Sequence, residues 1–183
     1  MGIIPCVTSS NRLLTPWGIC LLTEDRKSQG LILGHSVREN FGLPNLPHLS
    51  AFGFVKARAE RRAFQRFIDV LRIKVPHQEQ PAKNLSGGNQ QKVVLAKWLE
   101  ADCDVVIFDE PTRGIDVGSK YEIYLLINEL AAQGKAIIMI SSELPEVLGM
   151  ADSIAVMHEG RITGRIADAA RATQEQILKL AVE

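Results

Sequence analysis

From residue 88 to residue 160, continuously apolar runs alternate with segments of helical periodicity. The pattern predicts helices over 88–100, 118–133 and 144–150, and strands over 105–109, 136–141 and 153–160. Strands that are apolar throughout and separated by helices are typical of a parallel sheet covered on both faces. We therefore expect an α/β fold.

Two further elements follow this region. The stretch "MHEGRITGRI" predicts a hairpin that turns at Glu159 and Gly160. "ATQEQILKLAVE" predicts a final helix, in which Thr173 is the N-cap and Gln176 completes a capping box.

The first half of the chain is less regular. We expect a short strand at "GICLL" (18–22), a polar loop over 23–30, a loop-rich connection over 31–47 and a helix within 56–74. That helix has Phe64, Phe67, Ile68 and Leu71 on one side and five arginines elsewhere. Without interleaved aromatic residues or a recognisable motif, the arginines indicate a solvated face rather than a nucleic-acid site. Residues 1–16 show no periodicity and are expected to form a loose arm.

The composition of the chain limits its possible structural class and partners. The 183 residues are 46% hydrophobic, enough for one domain with a core, and 21 basic residues balance 21 acidic ones. Neither nucleic acid nor an anionic membrane is required as a partner by this balance. Cys6, Cys20 and Cys103 lack metal-site spacing, which argues against a zinc site or a disulfide framework and favours a reducing compartment. No run approaches the roughly 18 apolar residues of a membrane span.

Candidate chemistry begins at "NLSGGNQQKVVLAKWL" (84–99), a glycine-rich turn that leads directly into a helix. Ser86, Gly87 and Gly88 leave backbone N–H groups uncovered at the positive end of the helix, where an anion such as phosphate binds readily. The alternative is an ordinary N-cap serine followed by an ordinary turn.

A second candidate lies at "VVIFDEPT" (105–112), which places Asp109 and Glu110 at the C-terminal end of an apolar strand. Ligands bind at this edge of open α/β sheets. Asp109 could hold Mg²⁺, and Glu110 could orient or deprotonate an attacking water. The alternative is an acidic pair that simply ends a strand.

These segments together resemble a known family. "LSGGNQQK" resembles the signature motif of ABC-type ATPases, "VVIFDEPT" their Walker B strand, and "RGID" (113–116) the loop that crosses between two cassettes. Together with the segments "EDRKSQGL" and "SSELPEVLGMADSIAVMHEGR", these motifs resemble the second nucleotide-binding half of monosaccharide-import ATPases. The resemblance covers residues 17–183 and implies a partial cassette, with a helical signature subdomain over about 40–100 and a Walker B core, hairpin and helix over 101–183.

The resemblance implies ATP and Mg²⁺ as cofactors. It gives Glu110 the catalytic role and Asp109 the Mg²⁺. The residues that it implies in nucleotide binding are Ser86, Gly87, Gly88, Gln90, Asp116, Ser142 and Glu24. The implied partners are a second ABC cassette, whose ATP the signature turn would face, membrane permease subunits and, indirectly, a sugar-binding protein. It implies a peripheral position on the cytoplasmic face of the membrane and no nucleic acid.

The sequence departs from the family pattern in three places. No G-x-x-x-x-G-K-[ST] segment is present, Glu24 stands where the family has a glutamine, and Ser142 stands where it has a histidine. We therefore expect the isolated chain to lack ATPase activity, and the strand "VVIFD" to have an unpaired edge. Three interpretations remain open: an ATPase part of a sugar importer, a truncated remnant that at most associates with a partner cassette, and a soluble ABC ATPase of repair or translation.

Overall fold

The computed structural model describes residues 18–182. The described chain divides into two compact units, residues 18–140 and residues 141–182.

The first unit is built on a three-stranded parallel sheet and also contains a short antiparallel pair. The strands of the unit, in chain order, are β1 (Ile19–Leu22), β2 (Ser50–Ala51), β3 (Phe54–Val55), β4 (Val105–Asp109) and β5 (Ala136–Ile140). Its helices are α1 (Val37–Gly42), α2 (Leu46–Leu49), α3 (Ala57–Val70), α4 (Gly87–Leu99) and α5 (Val117–Ala132), with helical turns at Arg26–Gly30, Leu43–Asn45 and Ala82–Asn84. The large sheet has the order β1-β4-β5, while β2 and β3 form a separate antiparallel pair. The α/β fold with a parallel sheet is confirmed.

Strand β4 lies in the middle of that sheet. Val106 pairs with Cys20 of β1, and Asp109 pairs with Ile140 of β5. The expectation that "VVIFD" has an unpaired edge is therefore wrong, because both sides of β4 carry a neighbour. Among the described residues, the outer sides of β1 and β5 are the sheet edges.

Helix α4 supplies much of the core. Its residues Val93, Val94, Leu95 and Ala96 are all buried, and because they are consecutive they face every side of the helix. A helix of this kind must be covered all round, which explains why even Lys97 is buried.

The amphipathic helix predicted within residues 56–74 is confirmed as α3. Phe64 is buried and its ring centroid lies 5.0 Å from that of Phe41. The arginines of the helix are exposed at the surface, as expected for a solvated face: Arg58, Arg61, Arg62 and Arg66.

The segment 31–47 is more ordered than the sequence suggested. Ser36 and Glu39 form a capping box, in which the Ser36 N–H donates to Glu39 Oε2 at 2.9 Å, and helix α1 follows. The expectation of a loop-rich connection here is thus wrong for residues 37–42. The prolines at 44 and 47 end up at the starts of short helical turns, where proline is tolerated.

The second unit contains α6 (Leu144–Met150), the antiparallel pair β6 (Ile154–His158) and β7 (Arg161–Ile166), a helical turn at Ala169–Arg171, and α7 (Gln174–Val182). Its core is Ile154, Val156, Ala169 and Ile177.

Both sequence predictions for this unit are confirmed. The hairpin turns at Glu159 and Gly160, which have φ of 47° and 78°, as a two-residue turn requires. The Thr173 N–H donates to Gln176 Oε1 at 3.1 Å, and the Gln176 N–H donates to Thr173 Oγ1 at 3.2 Å, which completes the capping box.

Candidate functional site

The signature turn is held by a short chain of hydrogen bonds. Ser86 is the N-cap of α4, and its hydroxyl accepts a hydrogen bond from Asn89 Nδ2 at 2.9 Å. Asn89 Oδ1 in turn accepts from the Lys74 N–H at 2.7 Å. Ser86 itself is exposed, so its oxygen lies at the surface beside the positive end of a 13-residue helix.

The protein's own packing leaves no room for a side chain at Gly88, and at Gly87 a side chain would displace the end of Arg26. A Cβ on Gly88 would lie 2.8 Å from both Cβ and Oγ of Ser119. A Cβ on Gly87 would lie 2.8 Å from the guanidinium of Arg26 and 3.4 Å from the carbonyl oxygen of Gly114. The glycines do serve a close approach, as the sequence indicated, but the neighbours visible here are protein groups.

An open pocket of about 360 Å³ adjoins this turn. Its lining is polar and includes two lysines, two carboxylates and the N-terminal ends of two helices: Lys74, Ser86, Gly88, Asn89, Lys92, Asp116, Gly118, Ser119 and Glu122. It brings together three of the residues predicted from the sequence, Ser86, Gly88 and Asp116. We call it the signature pocket.

Asp116 has a structural task at this pocket. It is the N-cap of α5, where its Oδ1 accepts from the Ser119 N–H at 3.0 Å. That hydrogen bond, the largest cause, lowers the pKa of Asp116. Asp116 therefore orders the helix whose Ser119 presses against Gly88.

The second predicted feature, the carboxylates at the end of β4, is not part of the signature pocket. Asp109 is half-buried, and burial, followed by the charges of Glu24 and Glu110, raises the pKa of its carboxyl group. The N–H of Glu110 donates to the Ile140 carbonyl at 2.9 Å, and Glu110 has φ of 46°. The C-terminal edge of the sheet thus concentrates three acidic side chains.

Two arginines that sequence reasoning missed stabilise this edge. Arg113 forms an ion pair with Glu24, and Arg26 Nη1 donates to the Arg113 carbonyl at 3.1 Å. Arg26 also lies against Gly87, so it connects the segment after β1 with the signature turn. Each contact spans a long stretch of sequence, and no local pattern could have indicated it.

Two other predicted residues behave differently. Gln90 is buried, with Nε2 donating to the Ala82 carbonyl at 3.1 Å. The geometry gives Gln90 a structural role, so its assignment to ligand binding stays a prediction without geometric support. Ser142 belongs to the unit 141–182, where it immediately precedes the segment that leads into α6.

The donor set at the end of β4 suits a divalent cation only in part. Within residues 18–182, no group of three or more histidine, cysteine or acidic side chains is arranged to hold a metal. Mg²⁺, however, commonly uses one or two carboxylates and completes its shell with water and phosphate oxygens. Asp109, whose charged form is disfavoured by burial and then by its acidic neighbours, fits that one-carboxylate role.

The comparison with protein families identifies the class. A family model described as ABC transporter matches residues 19–113, more than half of the chain. The chain belongs to the ABC transporter family.

Similar proteins refine this assignment. The chain is 57% identical over 164 residues to a putative ribose/galactose/methyl galactoside import ATP-binding protein from Rhizobium etli, covering 90% of this chain and 31% of that protein. It is 58% identical over 166 residues to the ribose import ATP-binding protein RbsA from Clostridium perfringens, covering 90% of this chain and 33% of the relative. The chain therefore spans about a third of the length of these relatives.

Solved structures share the fold. A dimeric ATP-binding cassette in a post-hydrolysis state with ADP and phosphate matches with a TM-score of 0.70 at 18% identity, over 86% of this chain and 66% of that one. The ADP conformation of another cassette matches with a TM-score of 0.70 at 22% identity, over 93% of this chain and 70% of that one. In the described residues, no helix combines the length and apolarity needed to cross a bilayer.

Proposed function

We propose that the chain is the ATP-binding part of a sugar-import ABC transporter and that it presents Ser86, Gly87 and Gly88 to ATP held on a second cassette. The observation that carries this proposal is the signature pocket, which opens beside the exposed Ser86 hydroxyl at the N-terminus of α4. A helix N-terminus with an exposed hydroxyl is suited to a phosphate group, because the helix dipole is positive there and the hydroxyl can donate its hydrogen.

The signature pocket and the carboxylates at the end of β4 are separate features, and this supports the binding of ATP across an interface between two cassettes. None of the acidic residues at the end of β4 lines the signature pocket. A nucleotide in that pocket would therefore lack a Walker B carboxylate from this chain. In a dimer, each nucleotide would be held between the signature turn of one cassette and the Walker B carboxylates of the other. One structural neighbour is a dimeric cassette.

The remaining roles follow from position. Asp109 would hold Mg²⁺ and Glu110 would activate water for ATP held beside the end of β4. Glu24 would lie near that Mg²⁺ with its charge offset by Arg113, and Asp116 would position α5. The nucleotide-binding role of Ser142 rests on the resemblance alone. The partners are a second cassette and permease subunits, with a sugar-binding protein acting indirectly, at the cytoplasmic face of the membrane.

A non-hydrolysing role is the alternative. The 183 residues contain no G-x-x-x-x-G-K-[ST] segment to wrap the phosphates beside Asp109 and Glu110. In that case the chain would only associate with a partner cassette and use its signature pocket. Both proposals need an intact signature turn, and only the first needs Glu110.

The test is nucleotide-dependent association. The chain is mixed with an intact cassette that carries its own P-loop, taken from a ribose import relative, and the complex is followed by light scattering with and without Mg-ATP. Ser86→Asp keeps a good N-cap but places a carboxylate where phosphate would bind, so ATP-dependent association should weaken at least about tenfold. Ser86→Asn, an equally good cap without charge, is the matched control.

The outcomes separate the candidates. Loss of association in Ser86→Asp but not in Ser86→Asn supports the signature role, and equal association by all three proteins contradicts it. If the mixed complex hydrolyses ATP and Glu110→Gln lowers that rate, the result favours the hydrolysing role. Turnover unaffected by Glu110→Gln leaves only the signature role for this chain.

A further inference from the structure

Strands β2 and β3 form a hairpin whose tip is aromatic and exposed. Ala51 pairs with Phe54, so Phe52 and Gly53 make the two-residue turn. Phe52 is 101% exposed and Phe54 is 78% exposed. Neighbouring apolar side chains that lie open together mark an interaction surface, whereas a single exposed one needs no explanation. We call residues 50–55 the aromatic hairpin.

The backbone of the turn does not favour a phenylalanine. Phe52 has φ of 52° and Gly53 has φ of 81°, and a turn with two positive φ values prefers asparagine, aspartate or glycine at its first central position. A bulky residue with positive φ is unusual and lowers stability. Because the Phe52 ring is fully exposed, packing within residues 18–182 does not offset this cost. The ring at this position therefore points to a contact with another molecule.

The base of the hairpin is anchored to the first unit. Leu49, directly before β2, is buried. Its carbonyl accepts a hydrogen bond from the Lys56 N–H at 2.8 Å, and the Ser50 hydroxyl donates to the Leu46 carbonyl at 2.5 Å. Both ends of the hairpin are thus held by the adjoining helices, and the exposed rings are presented on a fixed base.

Three cations follow the hairpin without a neutralising partner. Lys56, Arg58 and Arg62 are exposed, and none of them forms an ion pair within residues 18–182. Arg62 Nε donates to the Arg58 carbonyl at 3.3 Å, which turns its guanidinium toward the hairpin end of α3. Glu60, the acidic residue nearest to them in sequence, is buried and paired with Arg38. The apolar tip is therefore bordered by positive charge.

We propose that the aromatic hairpin docks on an anionic lipid surface. Phe52 and Phe54 would enter the interfacial layer, and Lys56, Arg58 and Arg62 would lie against the head groups. An apolar tip bordered by unpaired cations suits this surface, because the lipid chains accept the rings and the anionic head groups accept the charges. A wholly apolar partner would leave the cations without a counter-charge. None of the five residues lines the signature pocket, so docking is separate from nucleotide binding.

The experiment measures cosedimentation of the full chain with sucrose-loaded vesicles of phosphatidylcholine, alone or mixed with phosphatidylserine. We expect binding to the mixed vesicles, and this binding should fall as sodium chloride is added. Phe52→Asn/Phe54→Thr should weaken it at least about tenfold, since two rings no longer leave water. Asparagine tolerates positive φ and threonine suits a strand, so this variant should not melt at a lower temperature than the wild type.

A second variant tests the charges. Lys56→Gln/Arg58→Gln should also weaken binding to the mixed vesicles at least about tenfold, and it should reduce the dependence on salt. Lys27→Gln/Lys83→Gln removes the same charge from two other exposed positions and is the matched control. Tyr121→Ser removes a 63% exposed ring from α5 and is the control for the aromatic variant. Both controls should bind vesicles like the wild type.

The outcomes decide between a lipid surface and other partners. The proposal is overturned if the wild type does not prefer vesicles with phosphatidylserine, if both hairpin variants bind them as the wild type does, or if the controls weaken binding equally. A single-stranded oligonucleotide that binds the wild type but neither hairpin variant, with vesicle binding unchanged, would make the surface a nucleic-acid site instead. Both hairpin variants should retain ATP-dependent association with a partner cassette, so this test is independent of the signature pocket.

Discussion

Glu24 and Arg113 form an ion pair that joins two segments 89 residues apart in sequence. One segment follows β1 and the other follows β4, and the two strands are neighbours in the sheet. Glu24 is also one of the charges that raise the pKa of Asp109. The glutamate that replaces the family's usual glutamine is therefore partly neutralised in this chain, and its charge still reaches Asp109.

Glu24→Gln should lower the pKa of Asp109. The substitution removes one of the two acidic neighbours and frees Arg113, and both changes favour the ionised carboxylate. The pKa should stay above its ordinary value, because burial is the largest cause of the shift. Carboxyl carbon NMR titration without nucleotide or Mg²⁺ measures it. Glu39→Gln is the control, and an Asp109 pKa that is unchanged or higher in Glu24→Gln would refute the coupling.

Gly88→Ala should destabilise the fold through Ser119. The new Cβ would meet Ser119 at 2.8 Å, which forces α4 and α5 apart, and such overpacking costs about 1–3 kcal/mol. Denaturant unfolding measures the loss. In a Ser119→Gly background the same substitution should cost less, because the clashing atoms are gone.

Gly149→Ala provides the comparison for this prediction. Gly149 is also helical, and a Cβ there would meet nothing within 4 Å. Its substitution should therefore be neutral or stabilising. Equal costs for Gly88→Ala in both Ser119 backgrounds would show that the helix contact is not the cause.

The sequence anticipated elements but not contacts between distant segments. Strand β4 and helix α6 have the predicted bounds, since their apolar periods are unambiguous. Helix α1 was missed although Ser36 and Glu39 form a capping box, because the prolines that follow suggested a loop. The approach of Ser119 to Gly88 depends on packing between helices, which a local pattern does not encode.

Lys97 should make stability depend on pH in the alkaline range. Burial lowers its pKa from 10.5 to about 8, and its ammonium is bonded to the Gly30 carbonyl and lies 5.1 Å from the Trp98 ring centroid. Between these two pKa values the folded state binds fewer protons than the unfolded state. This group's contribution to stability therefore increases as pH rises from about 8 to 10.5.

The size of the effect follows from about 1.4 kcal/mol per pKa unit, which gives a gain of order 3 kcal/mol across the window. Lys97→Met should remove this dependence and raise stability at neutral pH. The free energy of unfolding is measured by urea titration at a series of pH values. Lys83→Met, at an exposed lysine, should leave the dependence intact; identical pH profiles for the wild type and Lys97→Met would disprove the assignment.

The outer side of β5 should mediate self-association. Within residues 18–182, β5 pairs only with β4, and its Ile138 and Ile140 are 50% and 42% exposed. An apolar strand with an open edge is a template for pairing with another chain. The double variant Ile138→Thr/Ile140→Thr keeps β-branched residues but removes apolar area, so it should sediment as a smaller species than the wild type. The matched control is Ile162→Thr. Ile162 is an isoleucine on a strand of the second unit, and it is 49% exposed. If the wild type is already monomeric in sedimentation velocity, or if Ile162→Thr reduces association as much as the double variant, the β5 edge is not the contact.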